Sequence, residues 1–193
     1  WDQSPLPELS AERFISNGTV IVADTNVFTA GRYIAVQFAD HDHILTVDDD
    51  YSVTKHGWER LADKYDGNRI AVQLPVAHGK YSQAMHGLAW TCFGYGSIIP
   101  RSLIDEFMVT HHEAYGHDRL FHMKADRIFS SYVGEWDILK AMPDIHYTAL
   151  KNPNGDMSET DENAIHLRDD HWPLTMEAMG RGLRLRSLRT SQT

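Results

Sequence analysis

The segment His43-Ile44-Leu45-Thr46-Val47-Asp48-Asp49-Asp50 constrains the fold more than any other. Its apolar run, residues 44–47, has the length of a buried strand and ends in three consecutive aspartates. Like charges at a strand tip repel one another and lose hydration, so a cation is their natural compensation. Carboxylate oxygens select hard ions such as Mg²⁺ or Mn²⁺. In an open α/β sheet the carboxyl end of a strand is where a ligand crevice is expected, here for a metal carrying phosphates. Taken alone, the run also suits a solvated turn or a helix cap.

With 193 residues, 42% of them hydrophobic, the chain has enough apolar material for one ordinary core. The net charge of −9 argues against a nucleic-acid surface, which would be basic. The single cysteine, Cys92, forms no intramolecular disulfide, and no apolar run approaches the roughly 18 to 20 residues of a membrane span. A cytoplasmic setting is the expectation. The opening Trp1-Asp2-Gln3 carries neither an initiator methionine nor a leader and reads as the inside of a longer domain.

Along the chain, residues 19–23 read as a strand, residues 31–39 as a helix through Ile34, Ala35 and Phe38, and the aspartate-tipped strand follows. Thr54 is placed to cap a helix carrying Trp58 and Leu61 to Tyr65, stopped by Asp66-Gly67-Asn68. Strands are expected at 69–74 and 85–93, the second ending in Gly94-Tyr95-Gly96-Ser97, with a polar loop between them. Such alternation predicts an α/β sandwich with a mainly parallel sheet.

Residues 102–109 have helical spacing, and the histidine-rich 111–118 reads as a solvated loop. A zinc-protease reading fails because His112 and His117 are five apart with Gly116 between them, whereas the motif needs two histidines sharing one helical face. A further helix through Ile128, Phe129 and Tyr132, ending at Gly134, places Asp126 in its first turn. There the carboxylate is either a helix cap or a group pointed into the crevice opposite Asp48. From Gly180 onward, Arg181, Arg184, Arg186 and Arg189 suggest a basic tail, 181–193, after a single domain, 1–180. That tail reads as a solvated end, or as a segment able to touch anionic lipid.

The aspartate-tipped strand, followed about 75 residues later by Ala125-Asp126-Arg127 at a helix start, resembles the GT-A class of nucleotide-sugar glycosyltransferases, both the large polysaccharide-making family and its exostosin-like members. The resemblance runs from Trp1 to about Val133 and implies a Rossmann-like three-layer α/β/α sandwich. Asp48-Asp49-Asp50 resembles the DxD motif of that class, and residues 125–127 its later acidic motif. Two departures stand out. The opening strand and helix of such a domain are missing before Trp1, and one acidic residue of the later pair is replaced. Asp126 fills the second place if Ala125 has replaced its neighbour; otherwise Arg127 stands at the base position. The position of Phe129 favours the first register.

The resemblance implies a nucleoside-diphosphate sugar as donor, a hydroxyl acceptor, and Mn²⁺ or Mg²⁺ held by Asp48 and Asp50, with His171 as a further ligand; His146 and His166 are alternatives to it. Asp2 falls in a segment that contacts the base in that class, and Asn26 and Arg32 bound one near the diphosphate. Asp49 belongs to the donor-binding set, and Gly94 and Gly96 to a turn that lets backbone approach the sugar. Asp126 would deprotonate the acceptor. The polar residues 152–162 have the composition of a lid. A metal-dependent phosphohydrolase and a degenerate, non-catalytic transferase domain are the competing readings.

Overall fold

The computed structural model describes residues 27–48, 51–72, 93–134, 138–139, 147–149 and 171–190. Four strands form one sheet in the order β1 (His43–Thr46), β4 (Ser97–Pro100), β3 (Ile70–Val72), β5 (Ile138–Leu139). A separate antiparallel pair joins β2 (Tyr51–Val53) to β6 (Tyr147–Ala149). The helices are α1 (Gly31–Ala35), α2 (Lys55–Lys64), α3 (Arg101–Tyr115), α4 (Arg119–Val133) and α5 (His171–Thr190). The expected strands at 19–23 and 85–92, the 73–83 segment and the 152–162 lid lie outside the described residues.

The sheet is covered on both faces. Successive side chains of a strand point to opposite sides, and Ile98 and Ile99 of β4 enter different apolar clusters. Ile99 joins Ile70 and Val72 in the main core, under Tyr33, Phe107, Phe129 and Tyr132. Ile98 joins Ala71 and Leu61, against which Trp58 and Tyr65 pack. Trp58, Leu61 and Tyr65, three and four apart, form the single apolar stripe of α2. An α/β architecture with helices on either side of the sheet follows.

The sheet itself differs from the mainly parallel one expected. Among the described strands, β4 runs antiparallel to both β1 and β3, and the β3–β5 pairing alone is parallel. The deciding strand, β4, is four residues long and ends in proline, so it shows no alternation to read. β1 is also not the buried strand its composition suggests. It borders the four-stranded sheet, and Leu45 and Val47 are 57% and 44% exposed.

α2 begins and ends where its sequence signals stand. The Thr54 side chain accepts a hydrogen bond from the Gly57 N–H at 3.1 Å, and Asp66 accepts from the backbone of Asn68 and Arg69 just beyond the helix. Thr54→Ala is expected to remove about 1 kcal/mol of stability. Thermal unfolding would register this as a fall in Tm of about 2 to 4 °C.

The C-terminal end is another departure. Residues 181–190 continue α5 without a break, so the anticipated boundary at 180/181 falls inside a helix. Thr175, Ala178, Met179, Gly182 and Leu185 form its buried stripe. Three of its arginines reach neighbouring segments. Arg181 donates to Asp118 at 2.8 Å, Arg184 to the Tyr115 hydroxyl at 3.1 Å, and Arg189 to Glu106 at 3.2 Å. Among the described residues no helix is long and apolar enough to cross a membrane.

Candidate functional site

Where β1 ends, its pairing with β4 gives way to contacts with the 3-10 turn Phe93–Tyr95. The Thr46 hydroxyl donates to the Phe93 carbonyl at 3.1 Å, and the Asp48 N–H donates to the Gly94 carbonyl at 2.8 Å. These bonds fix the Asp48 backbone and lay its carboxylate across Gly94. A Cβ built on Gly94 would collide with the Asp48 carboxyl group, so the close approach requires glycine here. Gly96, at φ +107°, turns the chain into β4.

Arg32 reaches the same carboxylate from α1. Its Nη2 lies 2.5 Å from Asp48 Oδ1, and its Nε lies 3.5 Å from Asp126 Oδ1. The neighbouring Tyr33 donates its hydroxyl to that Asp126 oxygen at 2.9 Å. One guanidinium thus lies between two carboxylates, a charge-assisted arrangement that holds three chain segments together. The Arg32 and Asp126 side chains are 17% and 13% exposed and Asp48 is 36% exposed, so the Asp48 end faces solvent.

Asp126 is placed by a break in α4. The helix starts at Arg119, earlier than its sequence suggests, but Lys124 departs from helical geometry at φ −135°, ψ 23°. The Thr29 hydroxyl accepts from the Ala125 N–H at 3.1 Å and donates to the His122 carbonyl at 3.3 Å, bridging the interruption. Asp126 therefore lies in the first turn after the break, where a carboxylate meets the positive end of the helix dipole. Phe28, beside Thr29, has φ +45°, a conformation a bulky side chain rarely adopts.

The structure brings together Arg32, Asp48, Gly94 and Asp126 from the residues that the sequence singles out. Asp2, Asn26, Asp49, Asp50, His146 and His166 lie outside the described residues, as does the side chain of His171, the first residue of α5. Two contributors, Thr29 and Tyr33, were not legible. Their roles depend on partners 96 and 93 residues away.

The histidine-rich segment also departs from expectation. α3 continues to Tyr115, and His111, fully buried, lies among Phe107, Tyr115 and Phe121 with ring centroids 5.7, 5.6 and 4.5 Å away. Arg181 Nη1 lies 3.5 Å from its Nε2. Burial, and then the Arg181 charge, push the imidazole pKa down to about 4. Asp118, which caps α4 through the Phe121 N–H and accepts from Arg181, is driven up by burial, but its bonds and the Arg181 charge outweigh this and hold it below its ordinary value.

Among the described residues no group of three or more His, Cys, Asp and Glu side chains is arranged to hold a metal. Asp48 is a part-exposed carboxylate whose charge is already balanced by the Arg32 guanidinium, so a cation binding there would have to displace that group. No family model, curated protein or solved structure matches the chain.

Proposed function

We propose that the chain is a metal-dependent glycosyltransferase of the GT-A type, moving a sugar from a nucleoside diphosphate to a hydroxyl acceptor. The observation that supports this most is the convergence of Asp48, Arg32 and Asp126, 16 and 94 residues apart in sequence, at a solvent-facing strand end against Gly94. Three residues chosen for three different roles in one reaction meet at one place.

Asp48, with Asp50 two residues on, would hold Mn²⁺ or Mg²⁺, which when bound supplies Lewis-acid stabilisation of the departing diphosphate. Arg32 would give the phosphates a forked cationic partner. Asp126 would take the proton of the acceptor hydroxyl in an inverting reaction, and Tyr33 orients it by occupying one of its oxygens. Gly94, lacking a side chain, lets the Asp48 carboxylate lie directly against the turn.

Calorimetric titration of UDP and GDP, with and without Mn²⁺, tests the reading. Nucleotide binding that needs the metal and weakens at least about tenfold in Asp48→Asn is the expected result. Binding that ignores both metal and substitution would point away from transfer chemistry. Release of phosphate from simple esters would favour a phosphohydrolase instead.

A further inference from the structure

We propose that the Thr29 hydroxyl imposes the break in α4 from outside the helix, and that Thr29 is thereby the positioning residue of Asp126. The break stands whatever Asp126 does; only its consequence for catalysis rests on the reading of Asp126 as the acceptor's base.

The sequence of α4 gives no cause for an interruption. Residues 119–133 contain neither glycine nor proline, and Met123, Lys124 and Ala125 are all good helix formers. Yet Lys124 stands at φ −135°, ψ 23°, far from the helical values of about −63° and −42°. In an unbroken helix the Ala125 N–H would donate to the Phe121 carbonyl and the Asp126 N–H to the His122 carbonyl. Here a hydroxyl enters that ladder. Thr29 Oγ1 accepts from the Ala125 N–H at 3.1 Å and donates to the His122 carbonyl at 3.3 Å, taking a partner from each of those two bonds. A side chain inserted in this way kinks a helix that its own residues would keep straight.

The hydroxyl comes from the segment that also holds the carboxylate. The Tyr33 hydroxyl donates to Asp126 Oδ1 at 2.9 Å, and Arg32 Nε lies 3.5 Å from the same oxygen. Residues 29–33 therefore fix Asp126 twice, through the backbone just before it and through its side chain. Ala125 is fully buried. Without the hydroxyl, its N–H and the His122 carbonyl lose their partner and regain one within α4 only by closing the ladder. Closure turns the chain at Lys124, just before Asp126, and draws the carboxylate away from Tyr33 and Arg32.

The test is nuclear magnetic resonance of the isotope-labelled full chain, for the parent, Thr29→Val, Thr29→Ser and Tyr33→Phe. Thr29→Val keeps the shape of the side chain and removes the hydroxyl. In it the Lys124 Cα signal should move into the helical range, and the Asp126 carboxyl signal should leave its parent position toward the one it takes in Tyr33→Phe. Thr29→Ser, which keeps the hydroxyl, should leave both signals where the parent has them. A Lys124 signal that stays non-helical in Thr29→Val would show that the break belongs to α4 itself, and an unmoved Asp126 signal would show that the hydroxyl does not position it; either result overturns the proposal. Thr29→Ala serves if the valine variant does not fold. If neither folds while Thr29→Ser does, the hydroxyl is only a structural tie and the proposal falls. Failure of the transferase reading looks different: both signals respond as expected and serine restores them, yet the parent binds neither UDP nor GDP with Mn²⁺ present.

Discussion

Gly182→Ala is expected to destabilise the fold by about 2 to 3 kcal/mol, whereas Gly180→Ala, two residues earlier in the same helix, should stabilise it by about 0.5 to 1 kcal/mol. Both changes remove a glycine from the interior of α5 (His171–Thr190), and in a free helix each would gain about 1 kcal/mol of propensity. Their surroundings separate them. A Cβ at Gly180 meets only the far end of a flexible side chain, Arg184 Nη1 at 3.5 Å. A Cβ at Gly182 would overlap the Ile128 carbonyl oxygen and come within 2.6 Å of Ser131 Cβ and 3.1 Å of the Tyr132 nitrogen. Two of those three atoms are backbone of α4, so relief requires the helices to separate along the stripe of Ala178, Gly182 and Leu185. Separation would loosen packing at Ile128 and Tyr132, both fully buried, and disturb the helix that carries Asp126. Thermal unfolding of the two variants beside the parent should show Tm shifts of opposite sign. Shifts of the same upward sign would mean that α4 and α5 are not in contact at this point.

The fold was legible where the signal was local. The Thr54 cap, the Trp58, Leu61, Tyr65 stripe of α2, and the Gly134 stop after Val133 were readable because each involves residues within a few positions of one another. The sheet was less so. One of its two inner strands, β4, is short and buried on both faces, which leaves no alternation, and the exposure of Leu45 in β1, which among the described strands pairs with β4 alone, is set by that position in the sheet. α5 was hidden by its arginines. Charge density suggested solvent, yet the guanidinium groups reach Asp118, Tyr115 and Glu106 on neighbouring segments while the helix buries its small residues. Arg32, Asp48 and Asp126 could be named singly from residue type and spacing, but their meeting depends on the path of the chain. So does the break at Lys124, bridged by Thr29 from another segment.

Acid should weaken this fold well before its carboxylates titrate, and His111 is the reason. The imidazole is buried beneath the Arg181–Asp118 ion pair, with Glu177 3.8 Å from Arg181 on the same helix, Phe107 and Tyr115 from α3, Phe121 from α4, and His117 contributing a further repulsive charge. Its pKa falls from the ordinary 6.5 to about 4, so between those values the unfolded chain binds a proton that the folded chain refuses. Stability is therefore fully present above about pH 6.5 and falls as pH drops toward 4, by about 3 kcal/mol across the window. His117, lowered by burial and then by His112 and His122, adds to the loss in the same direction. Asp118, held below its ordinary 3.8, contributes stability that is lost only at still lower pH and leaves this window undisturbed. Denaturant unfolding at intervals from pH 7 to 4 should give a falling curve for the parent and a much flatter one for His111→Phe, which fills the aromatic cage without a titrating group. Parallel curves would show that the proton responsible binds elsewhere. Protonation sets a second cation against Arg181 Nη1, at 3.5 Å, so the first structural loss expected in acid is the hold of α5 on the turn at Asp118.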